Sequence, residues 1–278
     1  MNNQPIIRKA SGETEPFSQS KLESSLRRAG ASEETIKEIS GNIINGLTHG
    51  ESTKNIYARA FRLLRKKRSG LAARYKLKKA ILELGPSGYP FEHFIGQIMK
   101  NQGFHVETGQ IVEGNCITHE MDVIATKESV QRLVECKFHN GQGKISNVQV
   151  PLYIRSRVDD IIKKRKEMPE YQGLNFEGWV VTNTRFSLDA IKYGTCSGLN
   201  MLSWDYPRNH SLRDLIERDR IFPVTTLVNL TKKQKVMLAQ KGIVLCRQLL
   251  EAPEEIASLG FTFSQRKKME EELEELCS

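Results

Sequence analysis

The chain has 278 residues, of which 38% are hydrophobic and 27% charged, with a formal net charge of +9. That length asks for two or three compact units, and the composition excludes wholesale disorder. No run approaches the roughly 20 apolar residues of a membrane span, and the opening MNNQPIIRKASGE lacks the apolar stretch of a secretory signal. A prokaryotic cytoplasmic location is expected.

Five cysteines, at positions 116, 136, 196, 246 and 277, form an odd and scattered set. Such a set fits reduced thiols better than a disulfide scaffold. The positive charge is unevenly placed: FRLLRKKRSGLAARYKLKK, residues 61–79, holds no acid, whereas the end of the chain reads EEELEEL. A basic stretch of this kind suits a polyanionic partner, most commonly nucleic acid, and equally suits a solvated helical face.

In chain order, Pro5-Ile6-Ile7 and Glu15-Pro16-Phe17, joined by Ala10-Ser11-Gly12-Glu13, predict a β-hairpin with glycine in its turn. Four helices are predicted next. The first carries Leu22, Leu26 and Ala29 and stops at Gly30; the second starts at Ser32 and carries Ile36, Ile39, Ile43, Ile44 and Leu47. Ser52 or Thr53 caps the third, with Ile56, Ala60, Phe61 and Leu64. A break at Gly70 precedes the fourth, with Ala73, Leu77, Ile81 and Leu84, and Gly85-Pro86 ends it.

The middle segment, 87–210, opens on a helix through Phe91, Phe94, Ile95, Ile98 and Met99, closed by Gly103. Extended pieces at 104–108, 120–126 and 132–138 precede a long polar helix over 145–166 and a buried strand over 178–182. A helix capped by Ser187 and a strand over 200–204 complete an α/β pattern around a mixed sheet. The tail, 211–278, is helical: Thr231 caps residues 232–240, Gly242 stops them, Pro253 opens another helix, and Ser264 caps the last.

Hydrolysis of a phosphodiester needs a divalent cation and a basic or cationic group beside the attacking water. Magnesium prefers oxygen ligands, so carboxylates must converge from different elements. Asp122 stands on one strand, and Glu135-Cys-Lys137 follows thirteen residues later on the next. Positions i and i+2 of a strand share a face, so Glu135 and Lys137 lie side by side, facing whatever Asp122 faces. Alone, an acid followed by acid-x-lysine is also what a solvated sheet face looks like.

These residues resemble the core of PD-(D/E)xK nucleases, in the Mrr-like restriction endonuclease branch. The resemblance spans about residues 88–206. It takes in Tyr89-Pro-Phe91-Glu92-His-Phe94-Ile95, the strand Gly178-Trp-Val-Val-Thr-Asn183, then Phe186-Ser-Leu-Asp-Ala190 and Leu202-Ser-Trp204. Met121 stands where the family name has proline. The resemblance implies Mg2+-dependent cleavage of double-stranded DNA, with Asp122, Glu135 and the Cys136 carbonyl as metal ligands. It gives Lys137 the attacking water or the pentacovalent phosphate, and Glu92 an outer or second-metal role. Two C-x2-H pairs, Cys116/His119 and Cys136/His139, suggest zinc as a competing ligand set. Against it, Cys136 and His139 on one strand would point to opposite faces.

The amino-terminal run Lys9-Ala-Ser-Gly12-Glu-Thr-Glu15-Pro-Phe17-Ser-Gln-Ser-Lys21-Leu22 resembles the opening of ATP-cone domains. Ser52-Thr53-Lys-Asn-Ile56 and Leu71-Ala-Ala-Arg74-Tyr75 resemble their later helices. The resemblance covers about residues 4–85 and implies that ATP or dATP is held by Lys9, Glu15, Lys21 and Thr53. Ala10 replaces an arginine common in that family, and Tyr57 a histidine. In the tail, the stretch from Ile256 to Met269 resembles a helix-hairpin-helix in part, with Thr262 where a second glycine is usual.

The expected architecture is thus multidomain α+β. A hairpin-plus-four-helix ATP cone occupies 1–86, a restriction-endonuclease-like α/β domain 87–210, and a helical region 211–278. The leading functional reading is an Mrr-like endonuclease regulated by ATP or dATP and acting as a homodimer or larger homo-oligomer. Two alternatives stay open: a nucleotide-responsive DNA-binding regulator with an inactive nuclease fold, and a junction-resolving nuclease.

Overall fold

The computed structural model describes residues 5–9, 12–141 and 143–278. The expected hairpin is present as β1 (Ile6–Arg8) and β2 (Thr14–Pro16), paired antiparallel. Gly12, at φ +90, supplies the left-handed step of its turn; Ala10 and Ser11 lie outside the described residues. Ser18 and Ser32 cap α1 (Gln19–Arg28) and α2 (Glu33–Asn45). A third strand, β3 (Glu51–Ser52), lies parallel to β1. Two residues are too few to show alternation, so the sequence pattern did not reveal it. Ser52 caps α3 (Thr53–Lys67), its hydroxyl accepting from the Asn55 N–H at 3.2 Å.

The expected fourth helix is two, α4 (Ser69–Tyr75) and α5 (Leu77–Leu82), so five helices follow the hairpin instead of four. The break before them is at Arg68, which is extended at φ −153 and ψ 136, and Gly70 sits inside α4. The apolar stripe runs on across Lys76, which hides the elbow from a periodicity reading.

The central segment begins with α6 (Tyr89–Asn101) and a meander of β4 (His105–Glu113), β5 (Thr118–Lys127) and β6 (Val130–Lys137). Then come β7 (Ile145–Ser146), α7 (Gln149–Lys166), β8 (Asn175–Thr182), β9 (Arg185–Phe186), α8 (Leu188–Cys196) and β10 (Asn200–Leu202). The main sheet has the order β10-β8-β6-β5-β4; β4, β5 and β6 are antiparallel, while β8 and β10 run parallel to β6. The mixed sheet is as expected, although the long helix starts at Gln149, behind the small β7–β9 pair. One face of the sheet packs Leu133 and Val180 with Ile154, Val158 and Ile161 of α7. The other packs Val123, Val134 and Val181 with Phe94, Ile95 and Ile98 of α6.

The tail forms α9 (Leu212–Asp219), α10 (Lys232–Gln240), α11 (Cys246–Leu250), α12 (Pro253–Ser258) and α13 (Phe263–Cys277). The last cap is Thr262, not Ser264: its hydroxyl accepts from the Gln265 N–H while the Gln265 side chain returns the bond. This region is not a separate body. One buried core runs from Ala73, Leu77 and Ile81 through Phe91 and Val134 to Leu238, Leu249 and Leu273. The Glu275 carboxylate accepts from Arg68 Nε at 3.1 Å and the Gly70 N–H at 2.8 Å, tying α13 to α4. No described helix is long and apolar enough to cross a membrane, and all five cysteines are free.

Glu272, fully buried on α13, accepts from the backbone N–H groups of Val228 (2.6 Å) and Asn229 (3.1 Å) and from Asn229 Nδ2 (2.8 Å). Glu272→Ala strands those donors and is expected to cost about 2–4 kcal/mol in urea unfolding. Glu272→Gln, which keeps one acceptor oxygen, should lose less. An unchanged midpoint in the alanine variant would mean that water satisfies these amides.

Candidate active site

Asp122 sits where the sheet loses its regularity. The β5–β6 ladder ends at Val123–Val134, and the β4–β5 ladder skips the pair that Asp122 would make with Gly109. Gly109 is at φ +62, a conformation that glycine reaches without a Cβ penalty. The side-chain alternation slips at the same place. Met121 packs on the α7 side with Ile124, while Val123 and Ala125 pack on the α6 side. The freed carboxylate of Asp122 reaches across, and Oδ2 accepts the Cys136 N–H at 2.6 Å.

β6 stays paired with β8 through Lys137–Thr182, so Glu135 and Lys137 share one face, as expected from period two. Lys137 Nζ donates to Glu135 Oε1 at 2.6 Å. Arg157 Nη1 donates to Glu135 Oε2 at 2.7 Å, and its other nitrogen to the Glu120 carbonyl. Arg157 also lies over the Tyr153 ring, 5.3 Å from its centroid. The sequence reading missed this arginine. Its signal was available: Arg157 stands three residues after buried Ile154 and four after Tyr153, on the flank of the inward stripe of α7.

Burial and the neighbouring carboxylates of Glu135 and Glu92 push Asp122 up to about 7, against the lowering effect of the Cys136 N–H and Lys137. Glu92, in the first turn of α6, is raised by burial and then by Glu120 and Glu135. Three predicted acids therefore feel one another at one strand end. Asp122, Glu135 and Lys137 are brought together, and Glu92 faces them without a direct hydrogen bond to any of them. Burial drives the Cys136 thiol up as well.

The zinc pairing does not assemble among the described residues. Cys136 is buried in the core, and His139 Nε2 lies 3.0 Å from Ser146 Oγ. His119 pairs with Asp160 at 2.8 Å, and Cys116 donates its backbone N–H to the same carboxylate. That pairing is the leading reason Asp160 is lowered to about 2. At the amino terminus, Glu15 binds both Lys9 (3.1 Å) and Lys21 (3.2 Å). The β1–β3 ladder ends at Arg8–Ser52, so Lys9 and Thr53 follow as neighbouring steps.

A family model described as AF1548-like, C-terminal, matches residues 222–277, which contain α10 to α13. An Archaeoglobus fulgidus protein described as uncharacterized is 32% identical over 161 residues, 58% of this chain and 86% of that protein. The crystal structure of a protein of unknown function, AF1548, aligns with a TM-score of 0.55 at 28% identity, covering 69% of this chain and 98% of that one. MspJI restriction endonuclease in complex with a 27-mer oligonucleotide aligns at 13% identity and a TM-score of 0.35, covering 76% of this chain and 44% of that one. A likeness that low fixes neither fold nor function.

Asp122 also gives the site a stability signature. With its folded value near 7, above the ordinary 3.8, its contribution is fully present below the unfolded value and is lost as pH rises through the folded one. Asp122→Asn removes that titration. Between about pH 5 and pH 8.5 the variant should gain about 1–3 kcal/mol relative to the native chain, discounted for partial solvent access. Parallel denaturation curves across that range would show that Asp122 titrates normally.

Proposed function

The chain belongs to the AF1548-like family, and from that footing we propose that it is a metal-dependent endonuclease acting on double-stranded DNA. One observation carries the reading: Asp122, Glu135 and Lys137 meet at a single splayed strand end, with Glu92 close enough to raise the Asp122 carboxyl. The net charge of +9 suits a phosphate backbone as partner.

The residues fit a hard cation. Asp122 and Glu92 are both raised, by burial first and then by neighbouring carboxylates that include Glu135 for each, a crowding of negative charge that a divalent ion relieves. Asp122 and Glu135, with the Cys136 carbonyl, would be the ligands, and Glu92 an outer one. These donors are all oxygens, which suit magnesium, an ion that keeps several waters, better than zinc. Magnesium, when bound, would neutralise charge developing on the phosphate and lower the pKa of a bound water. Lys137 pairs with Glu135 and, being partly exposed, would meet that water or the phosphate. Arg157 holds the second oxygen of Glu135 and keeps the carboxylate from turning away.

The amino-terminal segment is proposed as a regulatory site for ATP or dATP at Lys9, Glu15, Lys21 and Thr53, with a homodimer as the working assembly. A second reading has its own support. Glu135 is satisfied by Lys137 and Arg157 without any metal ion, as a DNA-binding scaffold without catalysis would require.

Plasmid cleavage separates the two. With magnesium, and with ATP or dATP added in parallel, the native chain should nick or linearise DNA. Asp122→Ala and Lys137→Ala should each lose at least about a hundredfold in rate. If the native chain cuts no plain, methylated or branched duplex yet binds it, the scaffold reading replaces the nuclease.

A further inference from the structure

Where α3, the α4–α5 elbow and the carboxy-terminal segment meet, a cleft of about 220 Å³ is lined by Tyr57, Phe61, Arg65, Lys76, Lys79 and Lys235. Tyr57, Phe61 and Arg65 are spaced by four on α3, so one helical face supplies two rings and a guanidinium. The rings of Tyr57 and Phe61 stack at 6.4 Å between centroids.

Negative charge here is scarce. Lys76 (2.9 Å), Lys235 (3.7 Å) and Lys79 (4.0 Å) all reach the one carboxylate of Glu83. Lys76 and Lys235 also donate to the same Thr225 carbonyl, at 3.0 and 2.7 Å. Arg65 has no ion-pair partner among the described residues. The other nearby acid, Glu272, is committed to Val228 and Asn229. Burial and the adjacent Lys76 push Lys235 down to about 7, the mark of a cation lacking sufficient counter-charge. Finally, the Tyr57 hydroxyl is buried without a hydrogen-bond partner. Native structures rarely leave such a group unsatisfied without a reason.

We propose that this cleft binds the phosphate group of a small phosphorylated molecule. Four cations around one carboxylate leave room for a dianion, and a phosphate offers several strong acceptor oxygens for lysine, guanidinium and hydroxyl donors together. Lys76 and Lys235 also line a neighbouring cleft of about 1120 Å³ with Leu82, Leu84, Pro86 and Tyr89. That second space takes the organic remainder of the ligand. The position is distinct from the hairpin residues Lys9, Glu15 and Lys21. It also borders the start of α6, the helix that carries Glu92, through Tyr89.

Calorimetric titration of the full chain with inorganic pyrophosphate, and separately with a short duplex oligonucleotide, tests this. Pyrophosphate should bind saturably, and Arg65→Ala and Lys79→Ala, both exposed positions, should each weaken it roughly tenfold. Tyr57→Phe should weaken it by a smaller factor without lowering the melting temperature of the free protein. Absence of saturable pyrophosphate binding overturns the proposal. So does loss of binding in Lys21→Ala with Arg65→Ala unchanged, which would move the anion to the hairpin. Duplex affinity reduced by Arg65→Ala and Lys79→Ala with pyrophosphate binding intact would also overturn it, assigning these cations to the DNA backbone.

Discussion

The candidate site depends on one hydrogen bond, from the Cys136 N–H to Asp122 Oδ2. At that level β6 is still held by β8, through Cys136–Val181, while its ladder with β5 has already ended at Val123–Val134. A backbone N–H near a sheet interior needs an acceptor, and here a side chain takes the place of a strand. The consequence is geometric: Asp122 is fixed against the strand that carries Glu135 by a bond across the splay, not by the loop between them. Burial of the carboxylate at that place raises its pKa, while the bond itself works the other way and favours the ionised form.

Around that bond, charge is balanced unevenly. Glu135 is gripped on both oxygens, by Lys137 from its own strand and by Arg157 from α7. Asp122 receives, among the described residues, only a neutral backbone donor. Two carboxylates of similar chemistry thus sit in different electrostatic surroundings, one beside two cations and one raised to about 7 by burial and its acidic neighbours. All four groups stand on strands or helices, so their spacing inherits the stiffness of the sheet. The slip in alternation at Asp122 is what lets a strand residue escape its regular place, and Gly109 opposite it accepts the backbone conformation that goes with the slip.

Much of this was legible in the sequence, for stated reasons. Glu135 and Lys137 are two apart on a strand, and period two alone places them together. The hairpin, Ser32 and Ser52 as helix starts, and the mixture of strands and helices in the middle segment follow from local rules that act within a few residues. Arg157 lies 22 residues from Glu135; helix spacing puts it on the flank of the inward stripe, but which carboxylate it meets depends on how α7 settles on the sheet. The elbow at Lys76 was hidden because the apolar stripe continues through it. The joint core was hidden for a related reason: a helix stripe reports that a face is buried, never against what. Ala73, Leu77 and Ile81 read equally well as the core of the first segment, whereas they pack with the helices of the last.

That joint core also decides how the molecule can be divided. Cuts at 86 and 210, where composition and motifs change, look like natural borders for trimming. A fragment ending at 210 would lose Leu212, Ile216, Leu238, Leu249 and Leu273, leaving the α6 layer of the sheet open to water over part of its area. A fragment beginning at 87 would lose Ala73, Leu77 and Ile81 from the same layer. Protease-resistant pieces should therefore not coincide with the segments that the motifs mark out, and the sheet is inherited only together with the helices on both sides of it in the chain.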